Sequence, residues 1–488
     1  MDYSNSDLAV VAPARRTWSA WNYAALWVSL SLCIPTYMLA GSLIEGGMDW
    51  KQAMLTVFAG NVIVLIPMLL NGHAGARYGI PFPVLVRASF GIRGANVPAL
   101  LRAIVACGWF GIQTWIGANA LHHLVSVWVP GYARLPPILP AWVGLTTGQA
   151  IAFAAFWSLN MLIVHCGIDS IRRLLSIKAI LLPVAAILLL LWALAAAKGL
   201  GPILSRPSMF KTGAEFRAFF FPALTGMVAF WATLSLNIPD FTRYAQSQRA
   251  QALGQTIALP LAMTAFSFVG VVVTSATAIV FGDVIWDPLA LAARIESPML
   301  VSVCLVAVIV ATLATNIAAN IVSPANDFSN LFPSRIDFRR GGYITGIVGI
   351  LIFPWKLVSD PSGFIFTWLV AYSALLGPIA GVMIADYFVV RRGRLAVDEL
   401  YAREGRYWFA HGVNMKAMVA LVLGIAPNMP GFLVAIGVLP ANSVPSGIVD
   451  LYHYAWFVGL AVSGVVYAVW SREAPLPSPL TAARGEGV

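Results

Sequence analysis

The chain has 488 residues, of which 59% are hydrophobic and 10% charged, and its formal net charge is +10. Soluble domains carry about a quarter charged residues, so a string of soluble domains is excluded, and with it a basic soluble face for nucleic acid. Apolar runs near the ~20 residues needed to cross a bilayer recur throughout, which predicts an all-α polytopic membrane protein.

Twelve spans are predicted, at roughly 22–41, 53–71, 97–128, 150–167, 176–197, 218–238, 256–281, 298–322, 341–355, 363–390, 414–438 and 452–471. Residues 1–21 hold no long apolar run, and Arg15 and Arg16 stand just before the first span, so a tail is expected there rather than a cleavable signal. Span one carries "WVSLSLCIPTY" (Trp27 to Tyr37), in which two serines and Pro35 interrupt an apolar run. Span three carries "ACGWFGIQTWIG", with Trp109 and Gln113 four apart and therefore on one helical face. A flat indole beside an amide suits a flat ring with N–H and C=O edges.

An outer connecting loop is expected at 198–217, after which span six carries "WATLSLNIPDF" (Trp231 to Phe241), a near copy of the phrase in span one. Span eight carries "ATLATNIAANIVSP", with Asn316 and Asn320 on one face and Thr312 and Thr315 near them. Helix–helix hydrogen bonding is the ordinary role of such residues. A basic loop follows span ten at 391–413. Span eleven is the weakest, because Pro427 and Pro430 fall inside it, and a tail is expected at 472–488.

The repeated phrase organises these elements. Matched interrupted helices in two halves point to a transporter built from internal repeats, with its site at the breaks. Spans one to five (22–197) and six to ten (218–390) are read as two copies of a five-helix unit, with spans eleven and twelve (414–471) appended. An odd number of spans per unit inverts one copy relative to the other. Helices one and six are expected to unwind near Ser31–Pro35 and Ser235–Pro239, with the substrate pocket between them. Most of the 30 Lys and Arg fall in the segments that this topology places with the N-terminus, including Arg391, Arg392 and Arg394, so both termini are expected in the cytoplasm.

None of the 20 acidic residues lies mid-span. Carriers of protons or cationic substrates usually keep an intramembrane carboxylate, so a neutral substrate is expected. Asp240 and Asp386 come nearest, as loop-edge caps. The four cysteines, Cys33, Cys107, Cys166 and Cys304, lie in or at the end of apolar spans without metal-ligand spacing, and buried packing is expected for them. No histidine has a carboxylate at ligand spacing, so an enzyme is not expected.

The stretches "RTWSAWNY", "NGHAGARYGIPFPVLVRASFGIRGANVPALLRA", "GWFGIQTW", "LNIPDFTRYA", "NIAANIVSPAND" and "LGPIAGVMIADYFVVRRGRL" run through almost the whole chain. In them the sequence resembles the nucleobase–cation symport-1 family, nearest its bacterial allantoin and uracil/hydantoin branch. The resemblance implies the inverted-repeat sodium-symporter fold and uptake of purines, pyrimidines, allantoin, hydantoins or related vitamins. It also implies that Trp109 and Trp231 stack on the substrate and that Gln113 and Asn320 read its edge. Phe230 stands where the hydantoin carrier has a small residue, and Cys33 where it has a glutamine. The implied sodium ligands fall on Ser29, Leu32, Ala311, Ala314 and Thr315, of which Thr315 keeps its hydroxyl while Ala314 lacks one.

The resulting expectation is a secondary active transporter in the cell's cytoplasmic membrane. It imports a neutral cyclic amide or ureide by alternating access, coupled to a cation. The alternative is an uncoupled facilitator on the same scaffold. No cofactor is expected beyond co-transported Na+ or H+, and the expected partners are the small substrate and the bilayer, around a monomer.

Overall fold

The computed structural model describes residues 3–166, 168–358, 363–403 and 405–471. The 472–488 tail, Asp2, Asp360, Glu404, Glu473 and Glu486 lie outside the described residues, as do the side chains of Asp169, Arg172 and Arg173. Seven described helices are each long and apolar enough to cross a bilayer, and two bent pairs bring the number to nine. The other expected spans fall on shorter or interrupted helices, so the all-helical polytopic architecture stands.

The first span is α1 (Ala20–Ser31) followed by α2 (Ile34–Glu45), bent by 59° across Leu32 and Cys33. Span two is α3 (Trp50–Tyr78). Its start is fixed reciprocally, with Asp49 accepting from Gln52 N at 2.8 Å and Gln52 Oε1 accepting from Asp49 N at 3.1 Å. It ends at Gly79, whose φ of 72° suits a residue without Cβ. A short α4 (Phe82–Phe90) leads to α5 (Asn96–Trp128), then α6 (Thr147–Cys166), α7 (Ile168–Ala196) and a turn, α8 (Leu200–Leu204).

Span six is divided into α9 (Gly213–Phe230), α10 (Ala232–Asn237) and α11 (Pro239–Thr242). The chain continues through α12 (Gln248–Phe281), α13 (Pro288–Ala292), α14 (Pro298–Asn320), α15 (Val322–Leu331), α16 (Phe338–Leu351) and α17 (Pro354–Leu357). Span ten is a wide-turned stretch, Gly363–Leu369, then α18 (Val370–Ile384) and a second wide-turned stretch, Ala385–Val390. Span eleven, α19 (Met415–Ile425) and α20 (Met429–Ala435), is joined by a tight turn at Ala426–Asn428, where Pro427 falls. After α21 (Ser446–Tyr452), α22 (Ala455–Trp470) packs along α18 and α19.

Two packed groups emerge. In one, α12 lies against α1, α2 and α3, and α3 against α9. In the other, α5 lies against α14, α6, α15 and α16. Small residues allow the second group to close. A Cβ on Gly111 of α5 would lie 2.4 Å from Gly349 O of α16, and one on Gly117 would lie 2.2 Å from the Phe156 ring of α6. Without a hydrophobic force between helices in lipid, such close approach is what drives their association.

The break in helix one falls at the expected place, but the break in helix six does not. Unwinding was expected near Ser235–Pro239; instead Ser235 to Asn237 are helical within α10, and the distinct interruption is at Trp231 (φ −104°, ψ 6°). At Ile238 the chain keeps helical dihedrals (φ −51°, ψ −28°), and only the donor that Pro239 lacks is lost. The reason lies in what receives the freed carbonyls. Asn71 Nδ2 donates to Ser235 O at 2.8 Å, so the proline can sit in an otherwise helical path. Tyr372 Oη donates to Ala229 O at 2.6 Å, just ahead of the interruption at Trp231.

The cysteines also depart from expectation. Cys33 and Cys107 are buried, whereas Cys304 is half-buried and Cys166 is exposed at the end of α6.

Candidate substrate site between the two helix breaks

Helix interruptions expose backbone groups, and in hydrocarbon these must find partners inside the protein or line a cavity. Both breaks here meet α5 and α14 around a small cavity. Its lining includes Cys33 and Pro35 from helix one, Phe230, Trp231 and Thr233 from helix six, Trp109 and Gln113 from α5, and Thr315 and Asn320 from α14. The six residues expected to touch substrate (Cys33, Trp109, Gln113, Phe230, Trp231 and Asn320) are thus brought together, and among the described residues no charged side chain lines the cavity.

The aromatic groups meet at right angles. Phe230 lies edge-on to Trp109 at 5.2 Å between ring centroids and to Trp231 at 4.9 Å. Trp27 supports Trp231 from behind at 5.2 Å and 88°. Trp368 and Tyr372 pack against Trp109 at 6.1 and 6.4 Å. The Trp231 indole is also pinned by a hydrogen bond, with Nε1 donating to Asn61 Oδ1 of α3 at 3.0 Å. These contacts preset the indole faces before any ligand arrives, and a preset face loses little entropy on binding.

The amides divide into structural and available groups. Asn316 Nδ2 lies within hydrogen-bonding distance of Phe110 O, Thr114 Oγ1 and Asn160 Oδ1 at 3.1–3.2 Å, which ties α14 to α5 and α6. It is glue. Asn320 Nδ2 donates to Asn316 Oδ1 at 3.1 Å, which leaves its oxygen for a donor in the cavity. Gln113 is 4% exposed, and its Oε1 is buried with no hydrogen-bond partner among the described residues. Buried polar atoms are seldom left so, and this residue lines the cavity a ligand would fill.

The five residues implied as cation ligands are placed less favourably. Ala314 is fully buried and offers no side-chain oxygen. Thr315 Oγ1 donates to Ala311 O at 2.8 Å. Ser29 and Leu32 border a crevice shared with Lys178 of α7, and Lys178 Nζ donates to Ser29 O at 2.5 Å. These residues do not fit a sodium ion, because one expected carbonyl is taken and one hydroxyl is missing.

Buried carboxylates are present away from the cavity. Asp240 Oδ1 accepts from Phe82 N at 2.9 Å and Oδ2 from Ser323 Oγ at 2.6 Å, so the expected cap is a cross-link between α11, α4 and α15. Asp386 pairs with Arg391 at 2.8 Å and accepts from Tyr467 Oη at 2.7 Å. Asp327 of α15, fully buried, pairs with Arg102 of α5 at 2.5 Å. Neutral pairing of this kind is how such groups survive inside a helical membrane protein.

A family model for permeases of cytosine/purines, uracil, thiamine and allantoin matches residues 10–459. The chain belongs to the nucleobase–cation symport-1 family. A purine-uracil permease of Arabidopsis thaliana is 44% identical, over 95% of this chain and 77% of that one. An allantoin permease of Bacillus subtilis is 39% identical, over 97% and 94%. Among solved structures, the family transporter Mhp1, closed with bromovinylhydantoin bound, is 25% identical with a TM-score of 0.77 over 100% of both chains. The inward-facing form of Mhp1 gives 0.78 over 97% of this chain and 94% of that one. This permease is therefore a multi-pass membrane transporter of that fold and not an enzyme.

Several site residues carry no signal in the repeated phrase. Asn61 and Asn71 are polar residues within an apolar span, Tyr372 lies in span ten, and Lys178 stands at the edge of span five. A mid-span asparagine could have drawn attention to α3, but its partner could not be known.

Proposed function

We propose that this permease imports a neutral cyclic amide or ureide of the nucleobase, allantoin or hydantoin type by alternating access. The observation that carries the reading is the cavity that the Gln113 and Asn320 amides line together with Trp109 and Trp231, with no charged side chain among its described lining residues. A ring with alternating N–H and C=O edges satisfies such amides, and its flat faces suit Trp109 and Trp231. The relatives that transport uracil or allantoin support the same class. Phe230, edge-on to both indoles, narrows the space beside the ring and favours a substrate without a bulky substituent.

The proposed layout has two five-helix units, 22–197 and 218–390, followed by 414–471, with both termini cytoplasmic and the protein acting as a monomer in the cytoplasmic membrane. The second reading is an uncoupled facilitator, favoured by the Ser29 carbonyl accepting from Lys178 and by Ala314 having no hydroxyl for a cation. Uptake of radiolabelled allantoin, uracil and hydantoin by whole cells, with and without a sodium or proton gradient, tests both. Accumulation above the outside concentration that collapses with a gradient supports a coupled importer. Equilibration that ignores both gradients supports the facilitator. Failure to take up any of the three rejects the substrate class.

A further inference from the structure

The break in helix one creates a cation site of a simple kind. In a continuous helix, Ser29 O would accept from Cys33 N–H, but that N–H donates to Ser31 O at 3.0 Å. The Ser29 carbonyl is thus released at the C-terminal end of α1, where the helix dipole concentrates negative potential. Unwound carbonyls and half-helix C-termini are the features that hold coupling cations in transporters of this architecture. Here the position has an occupant. Lys178 is 2% exposed, its Nζ donates to Ser29 O at 2.5 Å, and no carboxylate pairs with it among the described residues.

A buried ammonium without an acidic partner is costly unless oriented dipoles compensate it. The α1 terminus and its freed carbonyl supply that compensation. The rest of the implied ligand set points the same way, since Ala314 has no hydroxyl to give.

We propose that Lys178 is a tethered cation that takes the place of a co-transported sodium ion at the helix-one break. The inference rests on the transporter reading above and makes it more specific. The ammonium neutralises the end of α1 and braces α7 against it, as a bound ion would. Being covalently attached, it cannot leave with the substrate. A sodium gradient therefore has no ion to move through this site, and substrate binding is unlinked from sodium.

The test uses the purified full-length protein, with allantoin and uracil as probes. Affinity is read from tryptophan quenching in sodium chloride and in choline chloride, and the melting temperature is read in both salts without substrate. For the wild type we expect affinities within about twofold and no sodium-dependent rise in melting temperature, since linkage requires a bound ion to act on both. Lys178→Met should weaken probe binding by about tenfold or lower the melting temperature, because the end of α1 is left uncompensated. Lys178→Ala combined with Ala314→Ser, which vacates the carbonyl and restores a hydroxyl, should gain a sodium-dependent rise in melting temperature. A wild type whose affinity tightens tenfold or more in sodium, or whose melting temperature rises with it, overturns the proposal. So does a Lys178→Met protein that matches the wild type in both measurements. If neither probe binds in either salt, the substrate reading fails, while the sodium effect on wild-type melting still decides the role of Lys178.

Discussion

Gln113 Oε1 and Asn61 Oδ1 show how one buried oxygen can serve two different ends. The first has no hydrogen-bond partner among the described residues and belongs to a side chain that lines the cavity, whereas the second accepts from Trp231 Nε1 and holds the indole in place. Gln113→Ala or Asn320→Ala should leave substrate edge groups unpaired, at about 1–3 kcal/mol, or roughly 5- to 150-fold in affinity. Titration by tryptophan quenching checks this, and unchanged affinity in correctly inserted protein removes that residue from the site. Asn61→Leu acts indirectly, since it strands a buried indole N–H at a cost of about 1–3 kcal/mol. We expect both a lower melting temperature and weaker binding. A variant that loses stability while binding as tightly as wild type would show that Trp231 needs no such anchor.

At the scale of elements, the two copies of the interrupted phrase are resolved differently. Pro35 and Pro239 each remove a donor, from Ser31 O and Ser235 O. In helix one the backbone compensates locally, through Cys33 N, and the helix bends by 59°. In helix six Asn71 from α3 supplies the missing donor and the path stays helical past Pro239. Asn71→Leu should therefore lower the melting temperature by the equivalent of about 1–3 kcal/mol, and a neutral result would mean that water or a ligand replaces the amide. Close packing of α5 makes a second demand. Gly111→Ala places a Cβ 2.4 Å from Gly349 O, a backbone atom that cannot rotate away, and overpacking of this sort costs about 1–3 kcal/mol. Thermal unfolding in detergent should show that loss, whereas no change would imply that α5 and α16 can part without penalty.

Across the whole molecule, Asp240 links the two packed groups, since it sits on α11 and binds Phe82 N of α4 and Ser323 Oγ of α15. Separation of the groups on that side requires these bonds to break. Asp240→Ala should shift the population towards a form open on the Asp240 side. Cys33, in the cavity lining, is a native reporter of that opening. In a Cys166→Ser background, its labelling by an impermeant maleimide applied from that side should accelerate and be slowed by substrate. Equal rates with and without the substitution would show that Asp240 does not hold the closed form. The Arg102–Asp327 pair is a different kind of tie, lying entirely between α5 and α15. Asp327→Asn should destabilise by about 3–5 kcal/mol because Arg102 is left uncompensated, and the double change to apolar residues should recover much of it.

The sequence by itself determined that the chain spans a membrane many times, that it breaks twice, and which face of spans three and eight carries Trp109, Gln113, Asn316 and Asn320. These follow from local causes: apolar run length, the donor that proline lacks, and the 3.6-residue period. It could not separate Asn316 from Asn320, because one amide's partners lie on α5 and α6 and the other lines the cavity, and helical period treats them alike. It placed the unwinding of helix six at the proline, whereas the distinct break is at Trp231, since Asn71 and Tyr372 decide which freed carbonyls are satisfied. Lys178 was legible only as a basic residue at the edge of a span. That its ammonium ends on Ser29 O is a fact of tertiary packing, because a lysine's reach is set by the helix it leans against and not by its neighbours in the chain.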